Sequence, residues 1–316
     1  MSELRWHPFL GEWVVTATHR QERTFFPPEG FCPLCPTKPG GPPTEIPCDN
    51  YEIAVFENKF PSLRTPPLPP EVGGSDLIPA RPSDGVCEVV CYSPDHDATL
   101  AGLPLRQIRK LVRVWRDRYI DLIARPTVRY VYIFENKGKE IGVTLSHPHG
   151  QIYAYPFIPR AIGNRLDAER RHFERRGTRL AQDWLAEETK DGRRVVWESD
   201  AWIAVVPTFA RYPYETHLAP KSHVPNLRAL DDTGLDGLAE GLRVVTQKLD
   251  RLFGFSMPYI MSLFQHEADY TWLIVELNPP YRTADKLKYL AGSEAACGVF
   301  INDTLPEETA ARLRAL

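Results

Sequence analysis

The stretch VTLSHPHGQIYAYPF, from Val143 to Phe157, decides how this chain folds. Its second part is an alternating apolar segment, typical of a β-strand, in which residues i and i+2 lie on the same face. Proline gives no donor to a strand ladder, so Pro148 places His147 and His149 near the start of that strand. The two imidazoles are therefore predicted to lie close together on a backbone with little freedom, so that one ring can be aimed while the other is held.

The composition is typical of a globular protein and excludes several classes of function. The chain has 316 residues, of which 43% are hydrophobic and 25% charged, with a net charge of −3. It lacks the basic character of a nucleic-acid-binding protein, and no apolar run approaches the roughly 18 residues of a membrane span. The first residues lack the apolar core of a signal peptide. We therefore expect a cytoplasmic protein of one or two domains, without nucleic-acid or membrane partners.

Proline content and hydrophobic periodicity divide the chain into irregular and helical segments. Half of the 30 prolines lie between Pro27 and Pro82, which predicts an extended, loop-rich segment. Apolar residues recur with helical spacing in 105–124 and in 234–253. The charged stretch 165–188 is predicted as one further helix that ends at Lys-Asp-Gly, and LPEETAARLRAL at the C-terminus as a short helix.

An internal repeat organises the strands around the two long helices. The first copy runs from YEIAVFENKF through the helix at 105–124 to RYVYIFENK and the strand after His149. The second copy runs from AWIAVVPTFA through the helix at 234–253 to PYIMSLFQ and TWLIVELNPP. Both have the order strand, strand, helix, strand, strand, which predicts an α+β fold made of duplicated units. The second copy has no histidine opposite the HPH stretch, so the first copy alone is predicted to carry the chemistry.

The segment FCPLCP suggests a metal site. Cys32 and Cys35, together with His96 and one histidine of the HPH pair, form a plausible tetrahedral zinc set. The long separation between Cys35 and His96 in the sequence excludes a local zinc finger. From the spacing alone, two surface thiols without a ligand, or a redox pair, remain open interpretations.

The order of these segments resembles the galactose-1-phosphate uridylyltransferase family of the histidine-triad superfamily. The segments WVVTATHRQER, CPLC, FENKFPSL, SPDH, FENKGKEIGVTLSHPHGQIYA and KLKYLAGSE occur in the family's order and span nearly the whole chain. The resemblance implies duplicated histidine-triad-like units, a mostly antiparallel half-barrel sheet with flanking helices, and a homodimer. We expect an N-terminal half at 1–160 with the zinc and the nucleophile. A C-terminal degenerate repeat is expected at 161–316, with a segment that contacts the sugar.

The resemblance also implies a two-step transfer through a covalent histidine intermediate. His149 would attack the α-phosphorus of UDP-glucose and release a sugar 1-phosphate, and galactose 1-phosphate would then take the uridylyl group. Histidine is a competent nucleophile when a hydrogen bond fixes one of its ring nitrogens. Gln151 stands where histidine-triad hydrolases carry a third histidine, and its amide can donate to a phosphoryl oxygen. The implied ligands of one structural zinc site are Cys32, Cys35, His96 and His147.

Substrate contacts are implied position by position. Arginine suits the phosphates of an anionic substrate because its guanidinium binds oxygen pairs. The implied contacts are Arg20 and Arg23 for the phosphates, Asn58 for the nucleoside, and Asn136, Lys137, Gly142 and Thr144 for the phosphate-side loop. Lys288 and Glu294 would contact the hexose from the partner subunit.

One departure from the family pattern concerns a second metal site that many relatives have. Phe264, Trp272 and Ile274 stand where its histidines are expected, and Arg165 stands where a glutamate is expected. Glu276 alone remains, and one acidic residue cannot hold a metal. The second site is therefore predicted to be absent.

Other functions stay open on the sequence. Ser293 stands where some relatives have a tyrosine that touches the hexose, so the same chemistry on another nucleotide sugar is an alternative. A second alternative is that inorganic phosphate is the acceptor, as in a sugar-nucleotide phosphorylase. A nucleotide hydrolase is disfavoured by Gln151. A zinc-binding protein without catalysis is the alternative from a different class, and the intact His147, His149 and Gln151 argue against it.

Overall fold

The computed structural model describes residues 2–22, 27–28 and 30–316. Arg23, one of the two arginines expected to hold phosphate, lies outside the described residues. Among the described residues, no helix is both long and apolar enough to cross a bilayer.

The regular elements are numbered along the chain. The strands are β1 (Ser2–His7), β2 (Glu12–Ala17), β3 (Ala54–Glu57), β4 (Ala80–Pro82), β5 (Val86–Cys91), β6 (Tyr130–Lys137), β7 (His149–Tyr155), β8 (Val195–Glu198), β9 (Trp202–Val205), β10 (Thr216–Pro220), β11 (Tyr259–Phe264), β12 (Ile274–Asn278), β13 (Tyr281–Thr283) and β14 (Lys286–Leu287). The helices are α1 (Leu105–Ile123), α2 (Arg160–Arg176), α3 (Leu180–Asp191), α4 (Asp232–Phe253), α5 (Gly292–Ala295) and α6 (Pro306–Arg314).

A large antiparallel sheet of nine strands has the order β3-β5-β7-β6-β11-β12-β10-β9-β8. Eight of these strands are arranged symmetrically about the β6–β11 pair, with β3-β5-β7-β6 on one side and β9-β10-β12-β11 on the other, and β8 is an additional strand at the edge of the second half. The predicted α+β fold of duplicated units with a mostly antiparallel sheet is thereby confirmed. The pairing of β6 with β11 makes one sheet of both halves, and the boundary near residue 160 stays a prediction.

The helices α1 and α4 cover one side of the large sheet, which we call the inner face. Ile152 and Ala154 of β7 lie on it, in the same apolar core as Val275 and Leu277 of β12. The predicted helices at 105–124 and 234–253 are confirmed, because their apolar spacing creates one buried stripe on each. Along α1 that stripe consists of Ile108, Leu111, Val112, Trp115, Tyr119 and Leu122.

The charged stretch 165–188 differs from the prediction, since α2 and α3 replace the single helix that was expected. Gly177 follows α2 with a φ of 72°, a left-handed conformation that glycine adopts at little cost. Its N–H donates to the carbonyl oxygen of Phe173 at 2.8 Å and ends the helix there. The predicted end at Lys-Asp-Gly is confirmed, because Gly192 caps α3 in the same way with a φ of 71°.

The opposite side of the sheet, which we call the outer face, is covered differently in the two halves. In the second half, Ala181 and Leu185 of α3 pack against Ile203, Val205 and Ile274. In the first half, β1 and β2 cover one part of this face, and a segment from the proline-rich part of the chain covers another. The contacts of that segment with the outer face join Leu34 and Ile46 to Val89 and Cys91 of β5.

Candidate active site

The strand β7 carries the predicted nucleophile on the outer face. Its side chains alternate between half-buried His149 and Gln151 on that face and buried residues on the inner face. Gly150 lies between them, and a Cβ at this position would overlap the hydroxyl of Tyr92 and lie 3.0 Å from the carbonyl oxygen of Phe134. The glycine of the HPHGQ motif is therefore required by close packing against Tyr92.

A hydrogen bond determines which ring nitrogen of His149 carries the proton. The Nδ1 atom of His149 lies 2.7 Å from the carbonyl oxygen of His147. Because a carbonyl oxygen only accepts, Nδ1 must donate, and the lone pair of the neutral ring is at Nε2. This is the tautomer that a histidine nucleophile needs.

Gln151 lies within hydrogen-bond distance of Asn58, so two of the predicted site residues meet here. The side-chain amide of Asn58 donates to Oε1 of Gln151 at 3.4 Å. Asn58 is itself held, because its N–H donates to the carbonyl of Cys87 at 2.8 Å and its Oδ1 accepts from the N–H of Phe60 at 2.9 Å. The contact with Asn58 occupies the oxygen end of Gln151, so the amide presents its NH₂ end as the donor.

The four predicted zinc ligands come together beside the start of β7. The ligand atoms of Cys32, Cys35, His96 and His147 all lie within 4.8 Å of one another. The Cys35 sulfur is 3.4 Å from Nδ1 of His96 and 3.6 Å from Nδ1 of His147. Two thiols and two imidazoles at such distances fit a tetrahedral zinc ion.

Both histidines are oriented by neighbours that the sequence analysis did not single out. Nε2 of His147 lies 2.8 Å from the carbonyl oxygen of Ser93 and 2.8 Å from the hydroxyl of Tyr51. Nε2 of His96 lies 3.1 Å from Oγ of Ser146. These contacts direct each Nδ1 towards the sulfur atoms, as the outer partners of metal-bound histidines do.

The electrostatics of this group also fit a cation. Burial lowers the pKa of His147 to about 4, so the ring is neutral and keeps a lone pair at Nδ1. Burial and the neighbouring Cys32 raise the pKa of the Cys35 thiol to about 11. Thiolates form at this place when a cation lies between them.

The phosphate-side residues are divided between the two faces of β6. Asn136 lines a cavity of about 50 Å³ together with His149. Lys137, its neighbour on the strand, lines the same cavity, but its side chain points to the opposite face, where Nζ lies 3.3 Å from Oδ1 of Asp250 and 5.2 Å from the ring centre of Tyr259. Alternation along a strand makes this separation unavoidable for two consecutive residues.

Two further phosphate-side residues follow β6. Gly142 has a φ of 83° and ends the short 3₁₀ helix Lys139–Ile141. Thr144 lines a larger cavity of about 530 Å³ beside the first, with Lys137 and His96. The loop before the nucleophile therefore forms one wall of this larger cavity.

The other predicted substrate residues lie in separate places. The guanidinium of Arg20 donates to Oγ of Ser62 at 2.8 Å and to the carbonyl of Phe60 at 3.2 Å. Lys288 and Glu294 are buried and pair with each other at 3.1 Å. The two cavities beside His149 are lined by residues from 96–149 and 255–281. Within one protomer, the hexose-binding assignment of Lys288 and Glu294 therefore stays a prediction.

The second half contains a buried charged cluster that the sequence analysis identified only in part. Glu276 binds Arg165 at 2.8 Å and Arg211 at 3.2 Å. Glu215 and His217 lie beside it, with 2.7 Å between Nε2 and Oε1, and the ligand atoms of these two residues and Glu276 lie within 4.8 Å of one another. The sequence-based prediction considered Glu276 alone at this place and did not include Glu215 and His217. The carboxylates are compensated by arginine, and the predicted absence of a second metal stays a prediction.

Two family models match the chain. The model of the galactose-1-phosphate uridyl transferase N-terminal domain matches residues 1–159, and the model of the C-terminal domain matches residues 165–316. The chain belongs to the galactose-1-phosphate uridyl transferase family. The resemblance on which the sequence analysis relied is thereby confirmed.

Individual members of this family are similar along their whole length. The chain is 42% identical over 322 residues to the galactose-1-phosphate uridylyltransferase of Thermotoga maritima, covering 99% of this chain and 98% of that protein. A solved uridylyltransferase structure superposes with a TM-score of 0.88 at 35% identity, covering 99% of this chain and 97% of the other. The structure of an ADP-glucose phosphorylase from Arabidopsis thaliana, with bound ADP-glucose, superposes with a TM-score of 0.75 at 25% identity. The superposition covers 100% of this chain and 99% of the other.

Proposed function

We propose that this protein is a nucleotidyltransferase that moves a uridylyl group from UDP-glucose to galactose 1-phosphate through a covalent intermediate on His149. The observation that carries the proposal is the hydrogen bond from Nδ1 of His149 to the carbonyl of His147, at 2.7 Å. It leaves the lone pair on Nε2, on the same face of β7 as the amide of Gln151. The names of the similar enzymes supply the substrates.

In the first step, Nε2 of His149 attacks the α-phosphorus of UDP-glucose. A P–N bond forms, the P–O bond to the β-phosphate breaks, and glucose 1-phosphate leaves with the electron pair. The amide of Gln151, whose oxygen is held by Asn58 at 3.4 Å, donates to a phosphoryl oxygen as charge develops there. A sugar 1-phosphate is a stable anion, so this leaving group needs no protonation.

In the second step, a phosphate oxygen of galactose 1-phosphate attacks the same phosphorus and the P–N bond breaks. UDP-galactose forms and His149 returns to its starting tautomer, because Nδ1 keeps its proton throughout. Covalent catalysis of this kind allows one site to serve two similar sugar phosphates in turn.

We further propose that Cys32, Cys35, His96 and His147 hold one zinc ion with a structural role. The distances between the ligand atoms and the partners of both histidines support this assignment. A bound zinc would fix the backbone of His147, whose carbonyl orients His149. The chemistry that the ion supplies is therefore positional, and both transfer steps use the side chains alone.

The test is to incubate the purified protein with UDP-glucose alone and to measure its intact mass. We expect an adduct of one uridylyl group on the wild type, and none on His149→Ala. Galactose 1-phosphate added next should discharge the adduct and yield UDP-galactose. A wild-type protein that forms no adduct with any nucleotide sugar would contradict the proposal and favour a zinc-binding protein without catalysis.

A second candidate is a sugar-nucleotide phosphorylase that uses inorganic phosphate as acceptor. The observation in its favour is the similarity to the ADP-glucose phosphorylase, at 25% identity over the whole chain. The same mass experiment with ADP-glucose, followed by phosphate or galactose 1-phosphate, separates the two candidates. An adduct from ADP-glucose that phosphate discharges would establish the phosphorylase.

We also propose that the protein is a homodimer in which Lys288 and Glu294 serve the sugar site of the other copy. Support comes from the exposed apolar side chains around this buried pair, which include Tyr289 at 74% and Val299 at 60% exposure. Light scattering coupled to size exclusion measures the mass in solution. A monomer at working concentration would contradict this assignment.

A further inference from the structure

A buried carboxylate lies directly behind the nucleophile strand and has no role in the steps described above. Glu135 is on β6, and alternation places it on the inner face with Ile133, away from Gln151. It is only 4% exposed. A buried charged group is costly unless hydrogen bonds compensate it, so its partners indicate what it does.

Two tyrosine hydroxyls donate to the same oxygen of this carboxylate. The hydroxyl of Tyr92 lies 3.4 Å from Oε2 of Glu135, and that of Tyr259 lies 3.3 Å from it. Both tyrosines are fully buried. Tyr92 follows β5 and Tyr259 begins β11, so Glu135 joins elements on both sides of β6.

Tyr92 connects this group to the backbone on either side of the nucleophile. Its N–H donates to the carbonyl oxygen of Pro148 at 3.0 Å. Its hydroxyl lies under Gly150, so close that a Cβ there would overlap it. One residue therefore contacts both the residue before His149 and the residue after it.

We propose that Glu135 is a positioning residue for His149, which it holds in place through the hydroxyl of Tyr92 and the backbone of Pro148 and Gly150. This inference rests on the proposed function, since it concerns the nucleophile of that reaction. A nucleophile must be held close to its attack geometry, and displacement by about 1 Å costs up to about 100-fold in rate.

If Glu135 positions His149, its ionisation should change the rate of adduct formation with pH, whereas a purely structural role would give no such pH dependence. Burial raises its pKa to about 7, although Lys137 and the hydroxyls of Tyr259 and Tyr92 lower it. Asp250 pairs with Lys137 at 3.3 Å on the same side. The group also borders the small cavity that His147 and His149 line.

The direction of the pH effect follows from this charge. Ionisation of Glu135 places a negative charge behind a ring that becomes positively charged when Nε2 takes the uridylyl group, because Nδ1 keeps its proton. We therefore expect the rate of adduct formation to rise as the pH rises through about 7. Glu135→Gln keeps an acceptor for both tyrosines and cannot ionise, so its rate should lack that contribution to the rise.

The experiment measures the single-turnover rate of adduct formation from UDP-glucose, by quenched mixing and intact mass, between about pH 6 and pH 9. Tyr92→Phe should slow this rate by about 10-fold or more at saturating UDP-glucose, with little change in the concentration needed for half saturation. Tyr259→Phe should slow it less, because Tyr92 retains its acceptor. Tyr119→Phe is the matched control, since Tyr119 is buried and donates to Glu267 at 2.6 Å.

The outcomes separate this inference from the proposed function. A wild type without adduct would overturn the proposed function. A wild type that forms the adduct, with Tyr92→Phe and Tyr259→Phe as fast as Tyr119→Phe, would overturn the positioning role. A Glu135→Gln profile identical to that of the wild type would also overturn it. If Glu135→Gln does not fold, the two tyrosine variants decide the matter alone.

Discussion

The strands β7 and β12 occupy equivalent places in the two halves of the large sheet, but their outer faces differ. On β7, His149 and Gln151 are half-buried and His149 borders the small cavity, and the cover over neighbouring β5 is a segment without helices. On β12, Ile274 is packed under α3, and Glu276 is bound by Arg165 of α2.

The difference shows that the shared framework does not by itself create a site. Both inner faces pack against one long helix and contribute to one core. The outer face becomes a site where the cover is an irregular segment that leaves side chains accessible. In the first half that segment contains Cys32 and Cys35, so a bound metal would do there what the apolar packing of α3 does in the second half.

The largest expected effect concerns the nucleophile. His149→Ala should lower the rate of uridylyl transfer by about 10⁴-fold or more, because no other group forms the intermediate. The matched change in the second half is His223→Gln, at a half-buried histidine whose Nε2 lies 3.0 Å from the carbonyl of Thr271. Steady-state assays of both variants measure the contrast. A strong loss in His223→Gln would contradict the assignment of the chemistry to the first half.

The metal is the next test of the comparison. Cys35→Ser should reduce the zinc content from about one ion per chain and destabilise the segment over the first outer face. The free energy of unfolding should fall by about 4 kcal/mol when the free zinc concentration exceeds the dissociation constant of the wild-type site by about 1,000-fold. Metal analysis and thermal unfolding with and without a chelator provide the measurement. Glu215→Gln should leave the metal content unchanged, and a fall there would reveal a second metal in the second half.

A stability effect is expected from the buried charges of the second half. Glu276→Ala should lower the free energy of unfolding by about 3 kcal/mol, because Arg165 and Arg211 lose their carboxylate. Denaturant unfolding measures this loss, and the adduct on His149 should still form. An unchanged free energy of unfolding would show that these charges are compensated by solvent.

The same carboxylate predicts a pH dependence of stability. Burial alone would raise the pKa of Glu276, but His217, Arg165 and Arg211 together outweigh burial and lower it below 4.5. A carboxyl group with a lowered pKa stabilises the fold above its ordinary pKa, and this contribution is lost as the pH falls through the lowered value. Unfolding curves at decreasing pH should therefore converge for the wild type and Glu276→Ala. A difference in stability between the two proteins that stays constant as the pH falls would refute the lowered pKa of Glu276.

The smallest expected effect compares the two long helices. Asp231 caps α4 by accepting from the N–H of Gly234 at 2.7 Å, whereas α1 follows Pro104 without a side-chain cap. Asp231→Ala should lower the free energy of unfolding by about 1 kcal/mol. Pro104→Ala should cost less, and urea unfolding of both variants compares them. Equal effects would mean that the cap contributes nothing beyond packing.

Much of the fold could be predicted because it follows from local patterns. The sequence alone predicts the apolar stripe of α1, the alternating burial of side chains along β7 and the repeated order of strands and helices. The prediction of one continuous helix over 165–188 was wrong. The apolar and charged periodicity continues past Gly177, and the left-handed backbone at that glycine ends α2. The opposite orientation of Asn136 and Lys137 could have been predicted from alternation.

The chemistry is specified by short local segments: HPHGQ places one histidine beside another that is held, and CPLC provides a thiol pair. Only the folded chain brings Cys35 to His96 across 61 residues, and Glu276 to Arg165 across 111 residues. The same is true of the contact of Tyr92 and Tyr259 with Glu135. Such contacts depend on strand order and on helix packing over each face, which residues close in sequence do not encode.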